Sequence, residues 1–86
     1  MNAHKLKTTN PYFNEVWERK KTFEVRNNDR GFKVFDRIQL LEYEPDSDSY
    51  TGRKIYGQIT YLLKDYDYVK EGYVVFGFKI RMRIPG

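Results

Sequence analysis

Lys21, Thr22, Glu24, Arg26 and Arg30 stand close together in the first third of the chain and bring an ammonium, a hydroxyl, a carboxylate and two guanidinium groups into one short stretch. Phe23 and Val25 alternate with Thr22, Glu24 and Arg26, the period-2 pattern of a strand with a half-buried apolar face and a polar opposite face. Glu24 and Arg26 then point the same way. Held side by side they either neutralise each other as an ion pair or offer a ligand an acceptor beside a planar donor fork. Simple attraction to phosphate has no use for Glu24. A carboxylate among bases suggests instead an acceptor for a base edge or amino group, with Lys21 and Arg26 holding phosphate or a carbonyl. Catalysis has an outline too, with Lys21 as general base, Thr22 as a hydroxyl and Glu24 as acid/base. No Ser/His/Asp pattern, phosphate-cradling glycine loop or metal cluster accompanies it, so Lys21 and Glu24 are candidates and no residue is assigned a catalytic role.

Lys7 and Arg30 widen the positive rim. His4 reads first as structural or solvated and is counted with them in the candidate ligand-binding set. A second basic feature is Lys79, Arg81 and Arg83 on one side of the last alternating stretch, opposite Val74, Phe76, Phe78, Ile80, Met82 and Ile84. Such a face either follows a phosphate backbone or keeps a terminal strand soluble. Tyr66 and Tyr68 stack on bases or pin their own acidic loop.

These residues need elements to hold them. His4 to Lys7 reads as a brief strand. Asn10-Pro11 is a helix start, because Asn caps well and Pro at the first helical position lacks only an N–H that has no partner there. Tyr12, Phe13, Val16 and Trp17 follow as an aromatic stripe, giving a helix of about ten residues that leads into Lys21. Asn27 to Gly31 form a turn carrying Arg30. Ile38 and Leu40 belong to a strand ending near Tyr43, and the polar segment from Glu44 to Ser49 is the expected mobile loop. Beyond Gly52, a long strand puts Ile55, Gly57, Ile59 and Tyr61 on one face, with Gly57 a candidate bulge. The expected fold class is α+β: one domain over residues 1–86, a small mixed β-barrel of about five strands with one N-terminal helix.

Composition narrows the partners. With 86 residues and 17% aromatics, the chain buries a thin core with many ring tips left near water. The absence of cysteine excludes disulfides and thiolate metal sites, and one histidine cannot build a zinc centre without several carboxylates, so neither metal nor cofactor is expected. No apolar run spans a membrane and no signal-peptide core is visible, so no membrane partner and a cytoplasmic location are expected. The net charge of +4 favours a polyanion such as RNA or a nucleotide.

Lys21-Thr22-Phe23-Glu24-Val25-Arg26 resembles the GxKxxExR signature of ASCH domains (activating signal cointegrator homology), small barrels of the PUA-like superfamily. His4 to Lys7, Tyr12-Phe13, Asn28-Asp29-Arg30, Phe32-Lys33-Val34, Asp36, Leu41-Glu42-Tyr43 and Tyr50-Thr51-Gly52-Arg53 are similar to a small bacterial and phage ASCH-like subgroup of unknown function. The resemblance implies a barrel with a cleft beside the helix, lined by the signature's Lys, Glu and Arg, and a role in binding RNA or a nucleotide; the first reading is a non-catalytic binder. One ASCH branch comprises N4-acetylcytidine amidohydrolases that use a lysine, a threonine and a glutamate; a small amidohydrolase of this kind is the alternative. Lys21 matches that lysine, but Glu24 stands at the threonine's place. Two family glycines are also replaced, by Arg19 before the signature lysine and by Phe35 before Asp36. If those glycines adopt positive φ, the turns here are reshaped or strained.

Overall fold

A computed structural model of the chain describes residues 2–86. Five strands and one helix follow one another: β1 (Ala3–Thr8), α1 (Tyr12–Trp17), β2 (Phe23–Asn27), β3 (Arg37–Glu44), β4 (Ser49–Leu63) and β5 (Tyr73–Ile84). They form one sheet of order β1-β3-β4-β5-β2, antiparallel except where β1 runs parallel to β3. The sheet curls into a half-barrel, bringing its two edges, β1 and β2, within reach of each other. Phe13, Val16, Leu40, Ile55, Ile59, Val74 and Phe76 are fully buried inside the curl. None of the described helices is long and apolar enough to cross a membrane.

The helix is shorter than its aromatic stripe suggests, six residues rather than about ten. Asn10 does contribute at its start, its Oδ1 accepting from the Asn14 N–H at 2.9 Å. The end is set by backbone geometry. Arg19 sits at φ 64°, its N–H bonds the Val16 carbonyl and the Lys20 N–H bonds the Glu15 carbonyl, the paired bonds of a Schellman stop. Glycine is the usual residue there. Phe35 behaves alike: at φ 76°, it is the third residue of a turn closed by the Asp36 N–H on the Lys33 carbonyl. Both turns therefore keep the left-handed backbone and carry a side chain on it.

Two extra residues change which side chains face the core. Between the pairs Tyr56–Met82 and Gly57–Ile80, β5 carries Arg81 in excess; between Ile59–Phe78 and Tyr61–Gly77, β4 carries Thr60 in excess. Each reverses the side taken by the residues beyond it. Tyr61 is thus exposed while Leu62 packs on the core, correcting the single face expected from Ile55 to Tyr61. Met82 turns outward, and Arg83 arrives on the side of Ile55. The bulge anticipated at Gly57 lies on the strand opposite it. A Cβ at Gly57 would meet the Lys79 carbonyl oxygen at 3.1 Å, so the strands approach there too closely for a side chain. The segment from Glu44 to Ser49 is a tight hairpin connection, with the Asp48 N–H on the Pro45 carbonyl and the Tyr43 hydroxyl bonded to the Asp48 carboxylate.

Candidate functional site

The signature residues meet at the seam between the sheet's edges. In β2 the expected sidedness is inverted: Phe23 and Val25 are 45% and 53% exposed, whereas Glu24 is 3% exposed. Period 2 identifies the two sets of side chains but not which set turns inward. Pairing decides it, since Glu24 opposes Phe76 and Arg26 opposes Val74, both on the core side. A carboxylate there needs partners. Glu24 Oε1 accepts from Arg26 Nε at 3.0 Å and Nη2 at 2.8 Å, and Oε2 accepts from Lys21 Nζ. The Schellman stop at Arg19 is what turns the chain so that Lys21 reaches it.

Arg26 also spans the seam. Its Nη1 donates to the Lys7 carbonyl and its Nη2 to Thr8 Oγ1, both at 3.1 Å, joining β2 to β1 through a side chain where no backbone ladder runs. Lys21 Nζ donates in addition to the Phe23 carbonyl at 2.7 Å. A guanidinium has five N–H donors and an ammonium three. Arg26 has therefore spent four and Lys21 two. One N–H remains on each, beside one unused acceptor position on Glu24.

This group opens onto a cleft of about 470 Å³, lined by Lys7, Thr8, Thr9 and Tyr12 on one side and Lys21, Phe23, Val25 and Arg26 on the other. The Lys21, Glu24 and Arg26 cluster is net positive, and Lys7, held at 4.1 Å over the Tyr43 ring, adds to it. Tyr12, 56% exposed, leaves the helix stripe to stand at the rim. The sequence reading missed Thr8, because the first strand runs one residue further than Lys7 and its alternation turns the Thr8 hydroxyl inward.

Other predicted residues lie elsewhere. His4 is buried, its Nε2 2.9 Å from Asp36 Oδ2 and its ring against Phe32; it is a core residue and not part of the rim. Asp36 also accepts from the Asn2 and Lys33 N–H groups. Burial raises its pKa, but the hydrogen bonds from His4, Asn2 and Lys33 outweigh that and leave it lowered. Arg30 is exposed in the turn after β2 and does not line the cleft. Thr22 lines a separate shallow groove with Arg19 and Lys79. Lys79, Arg81 and Arg83 do not share a face: Arg83 donates to the Trp17 carbonyl at 3.0 Å and lies 5.2 Å from the Trp17 ring, while Arg81 bonds Gln58.

A third buried acid, Glu42, escaped the sequence reading. Glu42 accepts from Thr51, Asn10 and twice from Arg53, whose guanidinium also packs 4.9 Å from the rings of Phe13 and Trp17. The Arg53 hydrogen bonds hold its pKa down from 4.5 to about 2 against the opposing effect of burial. All its acceptor positions are taken, so it fastens α1 to the sheet and offers nothing to a ligand. Among the described residues, no group of three or more His, Cys, Asp or Glu could hold a metal ion.

The family model of a domain of unknown function, DUF3850, matches residues 3–78. The chain belongs to the DUF3850 family. The match runs from β1 into β5, so the DUF3850 region contains the whole cleft and the three buried acids Glu24, Asp36 and Glu42. No curated protein matches the sequence.

Proposed function

We propose that this DUF3850 chain is an ASCH-like, PUA-type module whose cleft binds RNA or a nucleotide without a catalytic step. The observation that carries the reading is the spare bonding capacity at the seam. Two free donors on Lys21 and Arg26 suit a phosphate or carbonyl oxygen, and the open position on Glu24 suits a base amino group. Glu24 acts chiefly by holding the two cations together. Tyr12 and Phe23 offer rings at the rim.

The test is an NMR titration with short oligoribonucleotides and 5′-nucleotides at moderate salt. Lys21→Ala is expected to weaken binding by about tenfold and to lower the salt slope by about 0.7, the value of one phosphate contact on a single strand. Arg26→Ala should do the same, with Arg26→Lys retaining part of the affinity. If neither alanine variant changes binding, the cleft is not the ligand site.

The second reading is a small amidohydrolase acting on a modified nucleoside such as N4-acetylcytidine, with the paired Lys21 and Glu24 as its candidate residues. Lys21 serves there as a donor to Glu24 and Phe23, which is the geometry of a held cation and not of a base. Deacetylation of N4-acetylcytidine above the level of the Lys21→Ala protein would support that reading, and its absence would remove it.

A further inference from the structure

The outward side of the curled sheet carries a basic constellation assembled across strands. In the register, Arg37 of β3 stands beside Gln58 of β4 and Lys79 of β5. One row on, Lys5 of β1 stands beside Gln39, Tyr56 and Met82. Lys54 belongs to the next row, and the excess residue Arg81 reaches over the first, its Nη2 2.7 Å from Gln58 Oε1. No aspartate or glutamate stands in these rows. Lys5, Arg37, Lys54, Lys79 and Arg81 are five of the chain's 16 lysines and arginines. A shallow depression of about 470 Å³ lies between Arg37 and Arg81 and is lined also by Tyr56 and Met82.

A surface that only needs to be soluble mixes both signs, whereas a one-sign field attracts a polyanion. We propose that this sheet face is a second docking surface, separate from the cleft, for a single-stranded nucleic acid. Phosphates lie against the five cations, and an unstacked base rests on the Tyr56 ring beside the Gln39 amide. A half-exposed ring among amides on an open sheet suits splayed bases better than a duplex, whose bases are stacked away from it.

Fluorescence anisotropy of a short labelled oligouridylate between about 50 and 200 mM salt tests this. The Lys5→Ala/Arg37→Ala/Lys79→Ala protein is expected to bind about tenfold more weakly at the lower salt. Its slope of log affinity against log salt should fall by about 2, from about 0.7 per cation. Tyr56→Leu should weaken binding with the slope unchanged. All three cations are exposed, and an unaltered urea midpoint confirms that the variant is folded. Unchanged affinity and slope in the triple variant would overturn the proposal. So would an equal loss of binding to duplex RNA and to phosphatidylserine vesicles, since that marks general attraction of anions. Lys21 and Arg26 are untouched in these proteins, so this outcome and that of the cleft test are read separately.

Discussion

Glu24 and Glu42 are the same residue type, buried to the same degree and each clasped by an arginine, yet they do opposite things. Glu42 has four donors on its two oxygens and is closed. Glu24 has three and faces a cleft. The closed site couples stability to pH. A carboxyl whose folded pKa lies below its unfolded value stabilises the fold above the unfolded pKa and loses that contribution as pH falls through the folded one. For Glu42 the window runs from 4.5 down to about 2, and the lowered pKa of Asp36 acts in the same direction. Urea midpoints should be flat from neutral pH to about 5 and fall steeply below 4.5. Glu42→Gln should lower the neutral plateau and flatten part of that fall; an identical pH profile in the variant would show that Glu42 is not the linked group.

At the level of the elements, positive φ at Arg19 and Phe35 makes each turn carry a residue that prefers another conformation. A left-handed backbone costs an ordinary residue about 1–2 kcal/mol, offset by about 0.5–1 kcal/mol of chain entropy when glycine takes its place. Arg19→Gly is expected to raise stability by up to about 1 kcal/mol, and Arg19→Val to lower it, both by urea denaturation. Phe35→Gly should behave like Arg19→Gly, since the Phe35 ring is 62% exposed and has little packing to lose. These two positions drew notice only through the resemblance, which expects glycine at both, and glycine has a specific backbone role. The sidedness of β2 was not legible in the sequence. Phe23 and Val25 look like core, and only the partners of Glu24, supplied by Lys21 and the pairing with β5, turn the strand over.

For the molecule as a whole, the strand count and the shared side of Glu24 and Arg26 could be read from alternation and turn residues, whereas Lys21's place beside them was implied only by the resemblance. The faces of β4 and β5 could not, because one excess residue in each strand shifts everything beyond it without leaving a mark on the pattern. Arg83 shows the effect. By alternation it continues the line of Lys79 and Arg81, but the bulge at Arg81 sends it to Trp17. Arg83→Ala should therefore cost about 1 kcal/mol of stability through the lost ring and carbonyl contacts, with oligouridylate affinity unchanged. A drop in affinity without a drop in stability would return Arg83 to the basic face.

The tie that Arg26 makes between the sheet's edges also limits how tightly the cleft can hold anything. An incoming oxyanion is free to take the spare N–H, but a full grip by the guanidinium requires it to displace the protein's own Lys7 carbonyl or Thr8 hydroxyl. Affinity is then the difference between two sets of similar bonds. Under the proposed binding reading, such an exchange would suit a ligand that is sampled and let go, its residence time set by the competition of the chain with its own guest.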